Sequence, residues 1–132
     1  MKKMNRWKVK KLINKDLIEL QKGCSATCAV IKTSDYKELE NSIVVDANIT
    51  YNELIRTIKE KISLISDLEY FIIKGIDNIE FKAQEKFINI IKDRSDFNVK
   101  IPNDVIIVLT VENEKSLTKI LKELYHFCTV AF

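Results

Sequence analysis

Apolar residues recur along this chain in two periods, one helical and one continuous. Val9, Leu12, Ile13, Leu17 and Leu20 fall on one face of a 3.6-residue repeat and predict an amphipathic helix. Gly23 stands where a helix C-cap belongs. Short apolar runs then alternate with further amphipathic stretches. Cys28–Ile31 reads as a buried strand, and Ile43–Val45 as a second, rich in β-branched residues. Thr50 and Glu53 form a capping box. It opens a helix with Leu54, Ile55, Ile58, Ile62 and Ile65 on its apolar face. Tyr70–Ile73 is a third strand, followed by a helix presenting Ala83, Phe87, Ile88 and Ile91. Pro102 precedes the longest strand, Val105–Leu109. Asn113 can cap a helix carrying Leu117, Ile120, Leu121 and Leu124, and Phe127–Phe132 reads as a final strand.

Strands that are apolar throughout, alternating with amphipathic helices, predict an α/β sandwich around a largely parallel sheet. Ile72 and Ile106 or Ile107 belong at its centre. Ligands in such folds sit outside the C-terminal ends of the strands, here near Lys32, Asp46, Lys74 and Thr110.

With 132 residues, 46% hydrophobic and 31% charged, the chain has the size and composition of one globular domain. Two Gly and one Pro exclude low-complexity linkers and any glycine-rich phosphate loop. The net charge is +3, unevenly spread. Residues 1–22 carry eight Lys or Arg against two Asp or Glu. The organisation expected is a basic leading arm and helix over 1–22, then a single α/β domain over 23–132. The arm, with Lys2, Lys3, Arg6, Trp7, Lys8, Lys10 and Lys11, is a candidate nucleic-acid contact: cations neutralise phosphates and an indole stacks on a base. There is no run of 18 apolar residues and no apolar stretch of signal-peptide type at the N-terminus, so no membrane partner is expected. Three cysteines, Cys24, Cys28 and Cys128, are an odd number and read as buried thiols in a reducing compartment, which suggests a cytoplasmic protein.

Few residues offer chemistry. Cys24 and Cys28 have a CxxxC spacing but lack credible co-ligands, so no zinc is expected. His126 and Cys128 are two apart, with no third group to orient them as a nucleophile pair. Asp46 reads as a turn former and Asp77 as a capping residue in a turn. A small hydrolase using these two carboxylates is the least favoured function.

From Ile43 onward the chain resembles the AAA+ core of bacterial clamp-loader subunits of the delta-prime or tau/gamma type. Ile43–Asn48 and the helix Asn52–Ile58 resemble the family's second strand and the helix after it. Tyr70–Asp77 resembles the Walker B strand, and Ala83–Lys92 the helix that follows, which typically begins Ala-Gln. Val105–Asn113 resembles the sensor 1 strand and its exit. Ile120–Phe132 resembles the helix and strand around the arginine finger. The resemblance implies a five-stranded, mostly parallel sheet in the order 5-1-4-3-2 within a three-layer sandwich.

The chain departs from the family at every nucleotide-handling position. If Cys28–Ile31 is the first strand, Thr33–Glu38 stands where the Walker A loop belongs, with neither Gly nor a Lys-Thr pair. If instead the leading helix matches the helix after that loop, the first strand is missing; either way the loop is gone. Lys74 and Gly75 replace the Walker B acidic pair, and a lysine repels Mg²⁺. Glu123 or His126, depending on a small gap, falls at the arginine-finger position. Thr110 matches the end of the sensor 1 strand, and the lid is absent. The resemblance therefore implies no catalysis, no cofactor and a protein-interaction role. The partners it implies are clamp-loader or other replication ATPase subunits, with DNA nearby. The alternative is a small nucleic-acid-binding protein acting through its basic arm.

Any DNA affinity of the arm is expected to be weak, independent of sequence and carried by residues 2–15. Each phosphate contact releases about one counterion, so binding should fall steeply with salt. Fluorescence anisotropy across a salt series checks this, and binding unchanged after removal of residues 1–15 would exonerate the arm.

Overall fold

The computed structural model describes residues 28–126 and 128–130. The expected leading helix, its Gly23 cap and Cys24 lie outside these residues. Five strands form one sheet: β1 (Cys28–Lys32), β2 (Ser42–Asp46), β3 (Tyr70–Lys74), β4 (Ile106–Val111) and β5 (Cys128–Val130). They lie side by side as β2-β3-β4-β1-β5, and every neighbouring pair is parallel. The α/β class and the parallel sheet read from the sequence are therefore those of the structure.

The apolar runs explain why these segments pair in parallel. All six residues of β4 are buried, as are the first four of β1 and of β3. Strands without a polar face need cover on both sides. In register, Val44, Ile72, Val108 and Ala29 form one row across the sheet. Ile72 and Ile107 are fully buried and Ile106 nearly so.

The two faces are covered unequally, and the connections show why. The passages β2 to β3, β3 to β4 and β4 to β5 all progress the same way across the sheet. Right-handed crossovers then put their helices on one face. These are α1 (Tyr51–Lys61), α2 (Phe81–Gln84), α3 (Ile88–Asp93) and α4 (Lys122–Tyr125). Leu54, Ile58, Phe87, Ile90, Ile91 and Leu124 pack there with Cys28, Val30, Phe71, Ile73, Ile107 and Leu109. Only the passage from β1 to β2 runs in the opposite sense. It is short, a 3-10 turn (Thr33–Glu38) followed by three residues. Tyr36 and Leu39 from this passage pack on the second face, against Ala29, Ile31, Tyr70, Ile72, Ile106 and Val108.

Local signals held in part. Thr50 Oγ1 accepts from Glu53 N–H at 3.3 Å and caps α1. The helix expected from Ala83 to Ile91 is two short helices joined by a 3-10 turn, Glu85–Phe87. The helix expected after Asn113 is a 3-10 turn, Glu114–Lys119, then α4. The three-residue step from Leu117 to Ile120 fits that tighter winding.

One element went unread in the sequence. Ser95–Asp96 and Val99–Lys100 form a small antiparallel hairpin whose turn residues, Phe97 and Asn98, both have positive φ. Arg94 anchors it. This residue ends α3 in the left-handed conformation at φ 59° and is 1% exposed. Its Nη2 donates to Pro102 O at 2.6 Å and also to Val105 O, so one guanidinium ties the loop after the hairpin to the start of β4. Burial lowers its pKa from the ordinary value, while the charge of Asp104 raises it. Arg94→Met should keep the aliphatic stem but remove the guanidinium donor to the buried Val105 carbonyl, lowering unfolding free energy by about 1–3 kcal/mol. Urea unfolding checks this, and Arg94→Lys should restore little, since an ammonium lacks the planar fork.

Candidate functional site

The C-terminal ends of the strands are where a ligand would sit in this architecture. Here those ends are closed by one another. Thr110, near the end of β4, has a hydroxyl with 0% exposure in an otherwise apolar strand. Gly75 N–H, just past β3, donates to Thr110 Oγ1 at 2.8 Å. Thr33 Oγ1, just past β1, donates to the same atom at 3.1 Å. The exits of β1 and β3 thus meet at Thr110 Oγ1 near the end of β4.

The surrounding groups continue that closure. Lys74 Nζ lies 5.6 Å from the centroid of the Tyr36 ring, a cation–π contact. Tyr36 belongs to the 3-10 turn Thr33–Glu38. Asp35 in the same turn is 7% exposed. Gly75 has φ +75°, a left-handed conformation that suits glycine. A Cβ there would stand 3.0 Å from Asn78 Nδ2.

A second polar knot lies beside this one. Gln84 is 0% exposed and holds four backbone groups. Its Nε2 donates to Ile76 O and Ile79 O at 3.1 Å and to Lys119 O at 2.7 Å; its Oε1 accepts from Leu121 N–H at 2.9 Å. It joins the exit of β3 to the segment after β4. Three donor contacts to one amide nitrogen exceed its two hydrogens, so at least one is shared.

The sequence-predicted residues distribute as follows. Asp77 is not a helix cap: its Oδ2 accepts from Glu112 N–H at 3.2 Å, across 35 residues, linking the β3 and β4 exits. It lines a cleft of about 510 Å³ with Ile79, Phe81 and Thr118. Asp46 Oδ1 accepts from Asn48 N–H at 3.2 Å, the turn role read for it. Asn113 Oδ1 accepts from Ser116 N–H at 3.2 Å and caps the 3-10 turn. Glu123 and His126 are exposed and line a separate cleft of about 260 Å³ with Lys92 and Lys122. The arm residues Lys2, Lys3, Arg6, Trp7, Lys8, Lys10 and Lys11 lie outside the described residues.

The cysteines correct the reading as thiols. Cys28 and Cys128 face each other in register on β1 and β5 and are joined by a disulfide. Neither is then a free nucleophile or a zinc ligand, which removes the His126–Cys128 pairing. Among the described residues no group of three or more His, Cys, Asp or Glu is placed to hold a metal. Nor is any helix among them long and apolar enough to cross a membrane.

Thr110→Val keeps the shape but leaves Gly75 N–H without its acceptor, and should cost about 1–3 kcal/mol. Thr110→Ser should recover most of that loss. Gly75→Ala should be destabilising as well, because a left-handed L residue costs about 1–2 kcal/mol before any contact with Asn78. Equilibrium denaturation measures all three, and a Thr110→Val cost near zero would contradict the geometry.

Compared with known proteins, the chain matches no family model, no curated protein and no solved structure.

Proposed function

We propose that this chain is a non-catalytic protein-interaction module on a degenerate AAA+-like core, of clamp-loader delta-prime type, working beside replication ATPases. The observation that carries the non-catalytic part is that Thr33 and Gly75 both donate to Thr110 Oγ1. In a working nucleotide site, the groups at those positions turn toward phosphate and Mg²⁺. Here the Thr110 hydroxyl is fully buried and engaged by two donors, and Lys74 rests on Tyr36. In the sequence, Thr33–Glu38 holds no Gly, and Lys74-Gly75 stands where the resemblance expects an acidic pair. The AAA+-like part is supported by the strand sequence across the sheet, which from the β5 edge runs β5-β1-β4-β3-β2. Gln84 supports it as well, since the Ala-Gln pair of the resemblance supplies the residue that couples the β3 exit to the segment after β4.

A core of this kind contributes surface and shape. The side-chain bonds across the strand ends fix the relative positions of the loops after β1, β3 and β4, which is what a scaffold subunit requires.

Titration calorimetry with ATP and Mg²⁺ should show no binding at micromolar concentrations, and affinity capture from the native host should recover replication ATPase subunits. Micromolar ATP binding would overturn the non-catalytic reading. Capture that repeatedly returns nucleic acid and no ATPase subunit would overturn the partner class.

A further inference from the structure

We propose that the Cys28–Cys128 disulfide is a reversible redox latch on the edge strand β5. The inference is independent of the nucleotide-site reading and rests on where the two sulfurs sit. Cys28 opens β1 and is fully buried, whereas Cys128 opens β5 and is only partly buried. The bond links residues 100 positions apart and joins the last strand to the interior of the sheet. Among the described residues β5 pairs with β1 alone, through three register positions. On its other side β1 is held by β4 through five. Breaking the bond therefore loosens the edge and leaves β2, β3, β4 and β1 paired.

The burial difference sets the direction of the chemistry. A dithiol reductant attacks through its thiolate at Cys128 Sγ, on the less buried of the two residues. The S–S bond breaks and its electron pair leaves with Cys28 Sγ, which takes up a proton. The reductant's second thiol then attacks the mixed disulfide and releases Cys128 as a thiol. The dithiol is oxidised to a cyclic disulfide, and the protein gains two electrons and two protons. Cys28, enclosed by the core, keeps its position for reclosure by a disulfide oxidant such as oxidised glutathione. Release of β5 also uncovers the hydrogen-bonding edge of β1, so the latch decides whether the sheet presents a free edge.

The test uses the full chain with Cys24→Ser, so that one pair alone can form. Protein purified without reductant and denatured should titrate no thiols, and two after dithiothreitol. Hydrogen exchange on the folded protein should then show reduction accelerating the amides of Thr129 and Val130 at least tenfold more than that of Ile72. Oxidised glutathione should reverse the change. Cys128→Ser should exchange like the reduced protein; if it fails to fold, the dithiothreitol comparison still decides. Two thiols before reduction, equal acceleration at β5 and Ile72, or no reclosure would each overturn the latch.

Discussion

A hydroxyl in the middle of an apolar sheet has to find partners or forfeit its hydration. Thr110 meets that requirement with the backbone of Gly75 and the side chain of Thr33, and the upper end of the domain depends on the result. Gly75 can present its N–H because it adopts a left-handed turn directly after β3. Thr33 can reach because the passage from β1 to β2 begins with a tight 3-10 turn instead of a longer loop. Lys74, at the end of β3, lies over the Tyr36 ring of that same turn.

The same economy shapes the rest of the fold. The crossing from β1 to β2 has only residues 33–41 in which to span two intervening strands, β3 and β4, and return to the other end of the sheet. It contributes Tyr36 and Leu39 to the second face, while the first receives every helix among the described residues. Exposure of Val44 at 40% on edge strand β2 marks where that thinner cover ends. On the helical side, Gln84 and Arg94 use buried polar groups as fasteners between segments that hydrophobic contact alone would leave free to slide. Both act on backbone carbonyls, so their geometry is specified by chain path more than by neighbouring side chains.

How much of this was legible follows from what each feature requires. The four longer strands could be read because their apolar runs are continuous and bounded, and α1 because its cap and apolar face agree. Asp46 and Asn113 bond within a few residues, so their turn and cap roles were local and readable. The hairpin was not: its strands have two residues each, its sequence is mostly polar, and its turn uses Phe97-Asn98 without glycine. Arg94 is not legible because arginine is seldom buried, and nothing nearby in sequence announces carbonyls eight and eleven residues away. Cys28 and Cys128 are 100 residues apart, and an odd cysteine count argued against pairing. Thr33, Gly75 and Thr110 could be named one by one from the resemblance. That Thr33 and Gly75 both bond to Thr110 is a property of strand order, which periodicity does not encode.

The claim on which the account turns is that the strand ends are closed by their own side chains. Native-state hydrogen exchange of the Gly75 amide tests it most directly, since that N–H has one stated partner, Thr110 Oγ1. The account predicts protection approaching that of Ile72 in the sheet centre, unaltered by millimolar ATP and Mg²⁺, and lost in Thr110→Val. Rapid exchange at Gly75 in the unliganded protein, or protection that appears only when nucleotide is added, would contradict it.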